Sequence, residues 1–169
     1  MDSVKELCEE SGLGVHKVKP FVYVSSPYTQ GRQDFNVNFQ MRIWKQLMDD
    51  GKVYPHSPVV GSHFQGMFSP LNWDEWMSYD LALIELMTES SVPVALLRLN
   101  STYVSDDGEV NYLQEDSKGA DLEVAAWLES GCPVFYTVES LYEWSDNLKD
   151  WRPRTLMERA KKYLARYKP

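Results

Sequence analysis

Two spacings of apolar residues alternate along this chain. Short β-branched and aromatic runs mark strands, and longer stretches with apolar residues every three or four positions mark helices. Residues 20–25 form a compact run that reads as a buried strand, ended by Ser26-Pro27-Tyr28. A helix over about 34–50 follows, with Phe35, Phe39, Ile43 and Leu47 on one face and a stop at Asp50-Gly51. Residues 52–55 are the next strand. Residues 56–71, with prolines, glycines and two histidines, read as loop. Asn72 caps a helix running to about Glu89, with Glu75 as its capping-box partner. Residues 92–99 are the most hydrophobic segment and the best central strand. An acidic loop over 100–118, a helix over 119–130, a strand over 133–136 and helices near 139–148 and 153–167 complete the pattern. Pro153 suits the first turn of the last helix, and a short helix over 3–11 precedes the first strand.

Strand and helix alternate throughout. That order predicts an α/β fold: a doubly wound, flavodoxin- or Rossmann-like parallel sheet of about four to five strands with helices on both faces. Ligands in such folds bind at the carboxyl ends of the strands. A chain of 169 residues without an interdomain linker or internal repeat reads as one domain, residues 1–169.

Charge changes the picture in one respect. The formal net charge of −8 argues against a partner that is nucleic acid, because binding a phosphate backbone needs a basic footprint. Eight of the seventeen Lys and Arg residues nevertheless lie beyond residue 148, so 149–169 reads as a basic amphipathic C-terminal helix. Cys8 and Cys132 are too few and too far apart for a disulfide framework or a zinc knuckle. No apolar run has the length of a membrane span and the N-terminus lacks a signal-peptide core, so the expected location is cytoplasmic, away from membranes.

Four places carry candidate chemistry. Glu123 falls in the first turn of the helix that opens at Gly119, where the helix dipole would favour its ionised form; stability alone also places acids there. Asp80 lies on the apolar stripe of Trp73, Met77, Ile84 and Met87. A carboxyl there is costly unless it is paired, lines a cavity or bonds neighbouring backbone. Tyr23, Ser25, Ser26, Pro27 and Tyr28 sit at the end of the first strand, with hydroxyls and free N–H groups suited to a sugar or phosphate. Arg32, just beyond, could pair with an anion. Phe64, Phe68, Trp73 and Trp76 could form an aromatic wall for a flat base. The glycine fingerprints of dinucleotide and P-loop sites are missing, as is a nucleophile elbow. His56 and His63 lack the neighbours of a metal site, so no metal is expected.

Taken in order, three of these pieces resemble the nucleoside 2-deoxyribosyltransferase-like family, which includes nucleoside deoxyribosyltransferases and deoxynucleoside 5′-monophosphate N-glycosidases. They are Tyr23-Val24-Ser25-Ser26-Pro27-Tyr28, Asp80 in Ser78-Tyr79-Asp80-Leu81, and Gly119 to Glu123 followed by Gly131-Cys132-Pro133-Val134. The likeness spans about residues 20–137 and is strongest to a branch with an S-P-Y first loop. It implies that Glu123 attacks C1′ of a 2-deoxyribosyl group to form a covalent glycosyl-enzyme. Asp80 would orient the sugar or base or protonate the leaving base, and Tyr23 would hold Glu123 by a hydrogen bond. Water as acceptor gives hydrolysis and a second base gives transfer, without a cofactor. Ser117 and Lys118 sit where the glycosidase branch supplies donors to a 5′-phosphate, and Gly119 beside them is read as a substrate-binding residue. The acidic stretch around them, Asp106, Asp107, Glu109, Glu115 and Asp116, disfavours that phosphate. The insertion at 60–71 reads as a lid or a cover for the sheet. The resemblance also implies a homo-oligomer with a nucleoside or nucleotide as its small-molecule partner. A different class fits the same pocket: a non-catalytic nucleotide-binding or partner-binding module.

Overall fold

The expected parallel sheet is present. The computed structural model describes residues 19–68, 71–90, 92–104, 107–113 and 117–148. Strands β1 (Phe21–Ser25), β2 (Tyr54–His56), β3 (Val94–Arg98) and β6 (Val134–Phe135) form one sheet in the order β2-β1-β3-β6, with every neighbouring pair parallel. Four helices connect or flank them: α1 (Gln33–Asp50), α3 (Trp73–Thr88), α4 (Lys118–Glu129) and α5 (Val138–Asn147). This is the doubly wound α/β arrangement.

Side-chain alternation on the strands divides the core in two. Val22, Val24, Ala95 and Leu97 point to one face, where Leu47 of α1 and Leu141 of α5 cover them. Tyr23 and Leu96 point to the other, beneath Ile84 of α3 and Trp127 of α4. β1 and β3 are buried on both sides, which is why they read as continuous apolar runs.

Helix ends follow local chemistry. Asn72 accepts from the Glu75 N–H at 3.0 Å while the Glu75 carboxylate accepts from the Asn72 N–H at 2.8 Å, the capping box expected from sequence. At the end of α1, Gly51 takes a left-handed conformation, φ +61°, which a side chain would strain.

Two expected loops contain regular structure among their described residues. Within 56–71, Pro58–Phe68 is helix α2, packed on α1 and near β1. Ser57 caps it by accepting from the Val60 N–H at 3.0 Å, and Pro58 opens it, a start signal that its glycines obscured. Within 100–118, strands β4 (Ser101–Val104) and β5 (Val110–Leu113) pair as an antiparallel hairpin separate from the main sheet. Its turn contains Asp107-Gly108 with Gly108 at φ +83°, a hairpin signal masked by the surrounding acids. The expected helices over 3–11, 153–167 and the basic stretch 149–169 lie outside the described residues. Among the described residues no helix is long and apolar enough to cross a membrane.

Candidate active site

The period of two on β1 puts Tyr23 and Ser25 side by side on the α3/α4 face, at the carboxyl end of the sheet. Both reach the same group. The Tyr23 hydroxyl donates to Glu123 Oε1 at 2.9 Å, and the Ser25 hydroxyl donates to Oε2 at 2.5 Å. Glu123 is 7% exposed, so each carboxyl oxygen is held by one hydroxyl in a place nearly closed to water.

Burial decides its acidity. Loss of hydration pushes the Glu123 carboxyl up to about 7; the Ser25 and Tyr23 bonds pull it down, and the nearby Asp80 charge raises it. The helix-dipole expectation is therefore overturned. α4 begins at Lys118, so Glu123 lies in the second turn, beyond the reach of the dipole. Asp121 takes the first-turn position instead and accepts from the Ser117 N–H at 3.0 Å. Burial and the adjoining Glu123 carboxyl raise Tyr23 well above the ordinary phenol value, which keeps it a donor.

Glu123 opens onto a cavity of about 690 Å³. The end of β1 and the loop after it contribute Ser25, Ser26 and Tyr28, and α2 contributes Pro58, Val59, Ser62 and His63. The first half of α3 adds Trp73, Trp76, Met77 and Asp80, and the start of α4 adds Ser117, Lys118, Gly119 and Ala120. Asp80 Oδ1 is buried without a hydrogen-bond partner, and burial pushes its carboxyl up to about 6. Asp80 thus lines a cavity, one of the three outcomes its place on an apolar stripe allowed. Trp73 and Trp76 supply an aromatic wall, with the Lys118 ammonium 4.2 Å above the Trp73 ring. Gly119 lets α4 approach α3 closely: a Cβ there would lie 3.3 Å from Met77 Sδ.

The sites read from sequence largely converge. Glu123, Asp80, Ser25, Ser26, Tyr28, Ser117 and Gly119 share this cavity, and Tyr23 lies directly behind Glu123. Two residues stand apart. Pro27 is buried in the loop without lining the cavity. Arg32 is exposed, pairs with Asp34 at 2.8 Å and lies over the Phe35 ring, so its charge is spent at the surface. His56, at the end of β2, packs its ring 6.1 Å from that of Tyr23, and burial lowers its basicity. Among the described residues no group of three His, Cys, Asp or Glu side chains could hold a metal.

Sequence reasoning missed α2 and weighed His63 only as a metal ligand; its Nδ1 lies 2.9 Å from the Tyr28 hydroxyl. It also missed Asn36 and Gln40, polar residues on the buried stripe of α1 that continues to Ile43 and Leu47. That placement was the available signal. Asn36 donates to the Tyr28 and Gln30 carbonyls and so ties down the loop. Gln40 donates to the Val24 carbonyl at 2.9 Å and accepts from Ser57 at 2.9 Å, joining β1 to the start of α2. Gln40→Leu leaves a buried carbonyl unpaired and is expected to cost about 1–3 kcal/mol. Thermal unfolding should register this as a fall of roughly 2–4 °C per kcal/mol.

Fold and site together define an α/β protein with a cavity at the carboxyl ends of parallel strands, built around the carboxyl groups of Glu123 and Asp80. Comparison with protein-family models, curated proteins and solved structures yields no match.

Proposed function

We propose that this protein is an N-glycosidic-bond enzyme acting on deoxyribonucleosides or their 5′-monophosphates through a covalent glycosyl-Glu123 intermediate. The observation that carries the reading is the Glu123 carboxyl, held at both oxygens by Tyr23 and Ser25 at the edge of a cavity it shares with Asp80. The resemblance of the Tyr23–Tyr28, Asp80 and Gly119–Glu123 segments to the nucleoside 2-deoxyribosyltransferase-like family points the same way.

In this mechanism a Glu123 oxygen, which keeps a second lone pair beside its hydrogen bond, attacks C1′. The C1′–N bond breaks as the base departs with its electron pair, and Asp80 supplies the proton that neutralises it. The reaction needs the charge on Glu123 and the proton on Asp80. Two hydroxyl donors aimed at Glu123, and none at Asp80 Oδ1, favour that form. Asp80, at about 6 against about 7, is nevertheless the stronger acid in the free protein, so substrate over Asp80 has to reverse the order. The fixed carboxylate stabilises the oxocarbenium character that develops at C1′. Asp80, now ionised, then takes a proton from the acceptor. Water releases 2-deoxyribose, or its 5-phosphate from a monophosphate, and a second base yields a new nucleoside or nucleotide. Trp73 and Trp76 offer faces for the base, and Ser26 and Ser117 offer hydroxyls to the sugar.

Incubation with the deoxyribonucleosides and their 5′-monophosphates, followed by chromatography of free base, tests the proposal. Base release or exchange is expected from at least one substrate, and none from Glu123→Ala protein that retains its fold. Ligand-induced stabilisation without release from any of them would instead indicate the non-catalytic binding module. The homo-oligomer implied by the same resemblance is checked by light scattering.

A further inference from the structure

Arg98 is the least expected charge in the fold. It ends the apolar strand β3 and is only 3% exposed. A guanidinium so withdrawn from water is costly unless compensated. Its Nη1 donates to the Leu99 carbonyl, and its Nη2 donates to Asp121 at 3.3 Å. Asp121 is half exposed.

The strand register brings this cation to the site. Arg98 is the direct partner of Ser25 across the β1–β3 ladder, and alternation puts both on the α3/α4 face. Ser25 is the residue that donates to Glu123 Oε2 at 2.5 Å. The other ionisable groups around Glu123 are Tyr23 on β1, Asp80 on α3, and Lys118 and Asp121 on its own helix; His56 of β2 lies behind Tyr23. Lys118 is exposed and lies over Trp73, and burial disfavours a charged His56. Among the described groups around Glu123, Arg98 is therefore the buried cation.

We propose that Arg98 is a positioning residue for Glu123: its fixed, buried guanidinium, on the strand position beside Ser25, adds to the Ser25 and Tyr23 bonds a positive potential that favours the carboxylate in this dry corner of the sheet. The inference rests on the reading of Glu123 as nucleophile, to which it adds a source of the nucleophile's charge. An opposite charge nearby lowers a carboxyl pKa because it favours the ionised form, and in a buried setting salt screens this weakly. The pull of Arg98 on Glu123 has that sign.

Carbon-detected NMR of protein labelled at glutamate carboxyls follows Glu123 directly, with Glu123→Gln assigning its resonance. Arg98→Met is expected to raise the Glu123 midpoint. Arg98→Lys should stay much nearer the unmodified protein. The acidic limb of the kcat profile should move with the midpoint while KM changes little. If methionine does not fold at this position, Arg98→Gln, which keeps a donor for the Leu99 carbonyl, serves instead. An unchanged midpoint in a folded neutral variant overturns the proposal, as does an equal shift in Arg98→Lys. A raised midpoint in the neutral variant alone, with no base release from any substrate, upholds the role of Arg98 and removes the glycosidic reading.

Discussion

Glu123→Gln should lower turnover by on the order of 10⁴-fold or more while making the protein harder to unfold at pH 8. The two effects share one cause. Glutamine keeps the shape and can still bond Tyr23 and Ser25, but it can neither attack C1′ nor carry charge. In the native protein burial pushes the Glu123 carboxyl from its ordinary 4.5 up to about 7. The folded state therefore holds this proton where the unfolded chain has released it. The associated stability is fully present below about pH 4.5 and is lost as pH rises through about 7. The difference amounts to about 3 kcal/mol. Glutamine removes that penalty, so the variant should melt roughly 6–12 °C higher at pH 8 and show little advantage near pH 4. Calorimetry across this range checks the sign. A variant less stable than the unmodified protein at pH 8 would contradict a buried, ionising Glu123. Such opposition between function and stability is expected where a site holds a charge in an unfavourable place.

The second large effect concerns Asp80 and the shape of the pH profile. With carboxyl values of about 6 and about 7, the pair carries one charge only in the interval between. A reaction that needs one carboxylate and one carboxylic acid should peak there and fall on both sides. Asp80→Asn removes the acid, so the alkaline limb should vanish and kcat should drop by roughly 10²–10⁴-fold. The acidic limb then reports Glu123 alone beside a neutral neighbour and should stay in place or move slightly to higher pH, because the pair already loses its first proton while the other carboxyl is neutral. Substrates whose base departs without protonation should be slowed least. A profile in Asp80→Asn that keeps both limbs would assign the proton to another group.

The legible parts of this molecule are those written in local chemistry. The Asn72–Glu75 capping box, the two-sided burial of β1 and β3, and the stop at Gly51 each follow from a few adjacent residues. Glu123, Asp80 and Tyr23 could be listed as candidates, but their acidities could not, because these depend on burial that the chain acquires only after folding. The expected dipole effect on Glu123 failed for that reason. Helix α2 was hidden by Gly61 and Gly66, and the β4–β5 hairpin by acids around Asp107-Gly108, although both carried recognisable start or turn signals. Arg32 shows the converse error. Its position beside the first loop suggested an anion contact, yet Asp34 two residues on captures it. Asn36, Gln40 and Arg98 broke apolar patterns, and each proved to join elements around the cavity.

The spacing of Tyr23 and Ser25 has one further consequence. Both donors lie on one strand, two positions apart, with Val22 and Val24 between and before them on the opposite face. A slip of β1 by a single residue would put Val24, with Val22 or Ser26, in place of Tyr23 and Ser25 and drive those two hydroxyls into the α1/α5 core. Misregistered protein would thus be blank in the proposed reaction rather than partly active. In a refolded preparation, turnover per molecule would then count the fraction of chains whose first strand has seated correctly.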